Sequence, residues 1–419
     1  MKVAAIIAEY NPFHNGHKFH IEKTKELTGA DYVIAIISGN YVQRGTPAII
    51  DKYSRTEMAL SCGVDLVIEL PTCYATASAE YFAYGAVSIL NQLGIVDYLC
   101  FGSECDDIET LHYIAKILIS NPPEFSKLLN SYLKKGNSFP KARHLALNDY
   151  LGKVDDNIDL DKLNSVLASP NNILGIEYIK ALLKLNSSIK PITILRQGEG
   201  YNSDNLPEDN EFSSASGIRN EITHSGLGID KLNKYMPSCC YDLFKENYKV
   251  TFPIHLDDFS QFAYFALQRE NKVSLTNYVD IDQNIAIKII NSRDNLNDLG
   301  YFIGSLKSKD ITYSRLSRGI LHIILGIKDS HMNMFINETP EYARILGFRE
   351  NSSELIKKIK KASNLSIITK LSLGQKKLSI SGRNMLELDI NSAHLYNKVV
   401  FWKYQTEISN EYKHGVIIK

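Results

Sequence analysis

The sequence of 419 residues predicts an α/β fold, a doubly wound parallel sheet followed by a mainly α-helical C-terminal region. Three observations lead there. Short unbroken apolar runs recur at Val3–Ala8, Tyr32–Ile37, Leu66–Leu70 and Tyr98–Phe101. Between them lie segments with helical spacing, at His17–Leu27, Ser54–Ser61 and Ser78–Leu93. From about residue 230 onward the pattern becomes one of helices separated by polar connections.

Each run is as long as a strand and apolar on both faces, as strands covered by helices on either side must be. Glu69 inside the third is the one interruption. A mostly helical stretch follows, in which Leu174–Leu185 carries apolar residues three and four apart, and then Pro191–Leu195 supplies a fifth strand. The sheet region is therefore expected to span residues 1–225. Residues 226–419 form the helical part, with Phe259–Leu267, Tyr313–Leu325 and Ser353–Ile359 as its clearest helices. There is no internal repeat and no low-complexity tract.

Composition is that of a soluble globular chain, 44% apolar and 22% charged, with 47 basic residues against 47 acidic ones. No apolar stretch is long enough to cross a bilayer, so no membrane association is expected. The opening run stops at Glu9 with no cleavage pattern behind it, which suits a first strand better than a signal peptide. Cys62, Cys73, Cys100, Cys105, Cys239 and Cys240 show no paired CxxC spacing. They read as reduced structural thiols of a cytoplasmic protein, with no metal site. Nothing indicates an oligomeric state.

The segment Ala8-Glu9-Tyr10-Asn11-Pro12-Phe13-His14-Asn15-Gly16-His17 sits directly after the first strand and before the first helix. A helix N-terminus offers N–H groups and partial positive charge to a phosphate, a glycine lets the backbone come close, and two imidazoles one turn apart can face the same anion. The plainer reading, that His14 and His17 only cap a helix, loses ground because the carboxyl end of a parallel strand is where this fold class binds ligands. Zinc lacks a third ligand at sensible spacing.

The His14-Asn15-Gly16-His17 turn resembles the HxGH motif of the nucleotidyltransferase superfamily related to class I aminoacyl-tRNA synthetases, and Phe212-Ser213-Ser214-Ala215-Ser216-Gly217-Ile218-Arg219 is similar to its second motif. Together with Ser38-Gly39-Asn40-Tyr41-Val42-Gln43-Arg44-Gly45, Phe101-Gly102-Ser103-Glu104 and Pro170-Asn171-Asn172-Ile173-Leu174-Gly175-Ile176-Glu177-Tyr178, these segments resemble the bacterial tRNA(Met) cytidine acetate ligase family over essentially the whole chain. The resemblance implies a Rossmann-like domain that uses ATP, with Mg2+, to make acetyl-adenylate and acetylate the wobble cytidine of elongator tRNA(Met). It implies His14 and His17 as catalytic residues. Ile7, Ala8, Glu9, Asn11, Pro12, Phe13, Asn15 and Gly16 are then expected around the nucleotide, and Ser213, Ser214, Ser216 and Arg219 on the β- and γ-phosphates. Gly102, Asn171, Gly175 and Arg196 are expected on the adenosine side. Gly102 as a strand-end turn and Asn171 as a helix cap are the plain alternatives. The KMSKS loop of class I synthetases has no clear counterpart, Leu306-Lys307-Ser308-Lys309 being a weak match. Asp51, Glu69 and Glu104 are possible magnesium ligands, although phosphates and water can hold the ion themselves.

A tRNA partner needs cations and access to an extruded base. Lys357, Lys358, Lys360, Lys361, Lys370, Lys376, Lys377 and Arg383 form a run with no acid among them. Lys307, Lys309, Arg315 and Arg318 form a second cluster. Two rival functions are an adenylyltransferase for a small phosphorylated metabolite and an inert RNA-binding protein that keeps the motifs without turnover. Chain length and the basic helical half speak against the first, the intact His14, His17 and Arg219 against the second.

Overall fold

The computed structural model describes residues 1–154, 159–197, 206, 212–224, 229–337 and 339–419. Five parallel strands come from the first half of the chain: β1 (Val3–Ala8), β2 (Tyr32–Ser38), β3 (Leu66–Leu70), β4 (Tyr98–Ser103) and β5 (Lys190–Leu195). They are ordered β3-β2-β1-β4-β5. The winding thus reverses at β1, and the crevice between the carboxyl ends of β1 and β4 is the topological switch point where such sheets bind ligands.

Alternation along the strands divides the interior in two, because successive side chains leave opposite faces of the sheet. Val3, Ala5, Ile7, Ile34 and Ile36 pack with Phe82, Leu90 and Ile179 on one side. Ile6, Val33, Ala35 and Ile37 pack with Ile21, Met58 and Phe244 on the other. The first face is covered by α3 (Ala79–Leu93) and α4 (Pro170–Lys184), the second by α1 (Asn15–Thr28), α2 (Lys52–Ser61) and the helix Ser238–Asn247.

The sheet continues beyond the strands expected from sequence. β6 (Tyr342–Phe348) lies antiparallel to β3, and β7 (Ser366–Ile368) and β8 (Ile417–Ile418) extend its other edge. These strands are missed for physical reasons: β7 and β8 are too short to show a period, and Arg344 breaks the apolar run of β6. Arg344 is tolerated there because it is paired. Glu69 on β3 lies 3.1 Å from it and Glu411 2.5 Å from it, while Lys52 Nζ bridges the same two carboxylates at 2.7 and 2.8 Å. The network also explains the lone acid in the third apolar run.

The boundary expected at residues 225 and 226 lies outside the described residues. The helical half leans on the sheet through α8 (Ile380–Tyr404), which follows α5 (Ala215–His224), α6 (Tyr313–Leu325) and α7 (Ser353–Ala362) in the chain. Asp389 on α8 accepts from Thr72 N–H at 2.6 Å and from the Tyr342 hydroxyl at 2.5 Å, and the Tyr396 hydroxyl donates to Ala48 O at 2.8 Å. Among the described residues no helix is long and apolar enough to cross a membrane.

Candidate active site

The chain leaves β1 through Tyr10 (φ +50°) and a cis Asn11–Pro12 bond, and His14 then caps α1 in extended backbone (φ −148°, ψ 174°). His14 Nδ1 accepts from Gly16 N–H at 3.1 Å, and His17 Nδ1 accepts from His14 N–H at 3.2 Å. A side chain at position 16 would bring its Cβ to 2.9 Å from His14 Cε1, so glycine is what lets the His14 ring fold back over the helix start. The two rings stack with centroids 3.7 Å apart, and Tyr10 and Phe13 pack on His17 at 4.9 and 5.4 Å.

These hydrogen bonds decide the tautomer. A neutral imidazole nitrogen that accepts carries no proton, so both histidines hold theirs on Nε2. Both are neutral at physiological pH: burial, then the Arg196 and Arg219 cations, push His14 down to about 3. Burial, then His14 and Arg196, hold His17 well below the usual range. The site thus presents two neutral Nε2–H donors, fixed in direction by their backbone partners.

They border a cleft of about 220 Å³ at the switch point. Ile7, Ala8, Glu9, Asn11, His14, Gly16, His17, Gly102, Asn171, Arg196, Ser213, Ser214, Ser216 and Arg219 line it together. Two motifs about 200 residues apart are joined by a direct bond, Arg219 Nη1 donating to Asn11 O at 2.7 Å, while Nη2 donates to Ser216 Oγ at 3.0 Å. Ser214 Oγ accepts from Gly217 N–H at 2.9 Å and so caps α5. Four expected residues stand behind the lining. Pro12 and Phe13 are buried in the turn, and Asn15 ties α1 to the chain opposite, its N–H donating to Tyr235 O and its Nδ2 to Lys234 O, each at 2.9 Å. Gly175 lets α4 approach β4, since a Cβ there would sit 2.4 Å from Phe101 Cε2, and Phe101 is a cleft wall.

Sequence reasoning did not single out Phe19, His20 or Arg44, which also line the cleft. His20 lies one turn beyond His17 on the same helix, a spacing that could have flagged it. Burial, then Arg196, push it down to about 4, and its Nε2 is buried without a hydrogen-bond partner among the described residues.

Comparison with known proteins bears on this geometry. The chain matches the HIGH Nucleotidyl Transferase family model over residues 1–411. It is 43% identical over 418 residues to tRNA(Met) cytidine acetate ligase of Clostridium perfringens, covering all of both chains. The chain belongs to the tRNA(Met) cytidine acetate ligase family. A relative from Thermoanaerobacter of the same name is 44% identical over 397 residues, covering 94% of this chain and 95% of its own. The crystal structure of Thermotoga maritima TmcAL bound with alpha-thio ATP superposes with a TM-score of 0.91 at 32% identity, covering 100% of this chain and 99% of that one. The doubly wound nucleotidyltransferase fold expected from sequence is therefore the fold of the family.

The possible magnesium ligands do not converge in this member of the family. Asp51 caps α2, accepting from Tyr53 N–H at 2.8 Å and Ser54 N–H at 3.0 Å. Glu69 belongs to the buried ion-pair network, and Glu104 caps α4 by accepting from Asn171 Nδ2 at 2.6 Å and Asn172 N–H at 3.0 Å. Glu9 is the one carboxylate among the described lining residues, and its Oε1 accepts from Gln43 N–H at 2.9 Å. The basic clusters differ from each other. Lys357, Lys358, Lys360, Lys361, Lys376 and Lys377 are all exposed on or after α7. In the second cluster Lys307 and Lys309 are exposed, but Arg315 is paired with Asp282 at 3.0 Å and Arg318 with Asp280 at 2.7 Å, so acids distant in sequence offset half of its charge.

Proposed function

We propose that the chain activates acetate with ATP and transfers the acetyl group to N4 of the wobble cytidine of elongator tRNA(Met), in the cytoplasm. The observation that carries this reading is the pair of Nε2–H donors on His14 and His17, held at a helix N-terminus beside Arg219 and the serines of α5. An acetate oxygen forms a bond to the α-phosphorus as the bond to pyrophosphate breaks. Negative charge grows on the phosphoryl oxygens, and preoriented donors stabilise it without having to reorganise. Ser213, Ser214, Ser216 and Arg219 then hold the departing β- and γ-phosphates, the guanidinium suiting a two-point contact. Ile7, Ala8, Glu9, Gly102, Asn171 and Arg196 surround the adenosine side.

Mg2+ would offset phosphate charge, and with Glu9 as the only carboxylate on the described lining it would be held chiefly by phosphate oxygens and water. In the second step the cytidine amine attacks the acetyl carbonyl, AMP leaves, and the amine proton passes to solvent. The tRNA is held by residues 226–419, with the exposed Lys357, Lys358, Lys360, Lys361, Lys376, Lys377 and Lys309 against its backbone.

The test is ATP–pyrophosphate exchange with acetate, propionate, glycine or no acid, followed by labelled-acetate transfer to tRNA(Met). Exchange that requires acetate, and transfer confined to the elongator tRNA, is the expected result. Exchange independent of any carboxylate would instead support a metabolite adenylyltransferase.

A further inference from the structure

Cys62 and the adjacent pair Cys239 and Cys240, 177 and 178 residues further along the chain, meet on the side of the sheet away from α3. Cys62 closes α2, while Cys239 and Cys240 lie in the first turn of the helix Ser238–Asn247. Cys62 Sγ is 3.7 Å from Cys239 Sγ and 3.3 Å from Cys240 Sγ, and all three sulfurs lie within 4.8 Å of one another. Three thiolates around one zinc ion, each at the usual Zn–S length, stand about 3.8 Å apart, so the two separations from Cys62 are already within about 0.5 Å of that arrangement and the third within about 1 Å. Cys62 and Cys240 are buried and Cys239 is exposed, which leaves a solvent side for a water as fourth ligand.

We propose that Cys62, Cys239 and Cys240 bind a soft, thiophilic metal ion, Zn2+ in the cell, as a clamp between α2 and the helix Ser238–Asn247. The place of the adjacent pair at a helix N-terminus supports this. The partial positive charge of a ten-residue helix falls on Cys239 and Cys240. Two sulfurs would serve a disulfide equally well; a third within reach of both is what metal coordination uses. The clamp also bears on the cleft, because the chain just before this helix, at Lys234 and Tyr235, holds Asn15 between the two catalytic histidines.

The experiment uses the full chain, reduced, stripped with chelator and reloaded with Zn2+ or Co2+. Wild-type protein is expected to retain one Zn2+ per chain after gel filtration and to show the thiolate charge-transfer absorption of tetrahedral Co2+. Cys239→Ser, at the exposed position, is expected to lose both, and Cys105→Ser to lose neither. Zn2+ should also protect Cys239 of the wild type from a thiol reagent, a readout that needs no variant to fold. Wild-type protein that takes up no metal, labelling of Cys239 unaffected by Zn2+, or mild oxidation that joins Cys62 to Cys240 in protein without metal affinity would overturn the proposal.

Discussion

Position 17 allows the two jobs of one imidazole to be separated. His17 Nδ1 accepts from His14 N–H at 3.2 Å and fastens the turn, which leaves Nε2–H as the donor that the proposed mechanism uses. Asparagine puts its Oδ1 where Nδ1 stands and keeps the first job while losing the second. Glutamine puts an amide N–H near Nε2 and does the reverse. Alanine loses both. Removing a preoriented donor to developing charge costs about 100- to 1,000-fold in kcat, or about 3–4 kcal/mol of barrier. The backbone hydrogen bond is worth about 0.5–1.5 kcal/mol of stability. His17→Asn and His17→Ala should therefore both lose acetate-dependent exchange by about two to three orders of magnitude. His17→Asn should be the more stable of the two in urea by about 1 kcal/mol. His17→Gln should recover part of the exchange while melting like the alanine variant. An asparagine variant that exchanges near the wild-type rate would show that Nε2–H is not the donor, and the tautomer argument would fail with it.

Three further outcomes follow from the same structure. Glu411→Ala leaves Lys52 and Arg344 buried without one of their shared carboxylates, and should cost about 3–5 kcal/mol in urea unfolding, with Glu411→Gln between it and wild type; a loss below about 1 kcal/mol would mean the network relaxes freely. Burial holds His14 near 3 and His20 near 4 against an ordinary 6.5, so below pH 6.5 the unfolded chain takes up protons that the folded chain refuses. Stability should accordingly fall as pH drops from 6.5, by about 2 kcal/mol at pH 5 from His14 alone, and His14→Gln should flatten that slope in urea melts across pH. Gly175→Ala must push Phe101 from 2.4 Å toward ordinary contact, which should cost about 1–3 kcal/mol and raise the KM for ATP more than it lowers kcat. An unchanged KM would place Phe101 outside the nucleotide's reach.

What could be read from the sequence follows from how far apart the interacting groups lie along the chain. The His14–His17 turn was legible because strand, glycine, caps and helix occupy one contiguous segment, and the first four parallel strands because burial on both faces writes itself as an apolar run, whereas the edge strand β5, mostly only half-buried, showed itself by its β-branched residues alone. β6 was not, because the partners that make Arg344 acceptable inside a sheet, Glu69 and Glu411, are about 275 and 67 residues away. Arg315 and Arg318 read as free cations for the same reason: Asp282 and Asp280 reach them through the fold, not through sequence spacing. The cysteine trio repeats the pattern, since motif spacing finds only ligands that share a loop. Charge and thiol inventories taken along a chain therefore count groups without their partners. In this molecule that makes the exposed lysine face of α7, whose lysines meet few carboxylates in space as well as in sequence, a firmer candidate for a polyanion surface than the cluster around Arg315. Replacing Lys360 and Lys361 by Ala should therefore weaken tRNA binding and lower its salt dependence by about two charges, while Lys309→Ala should change it by at most one.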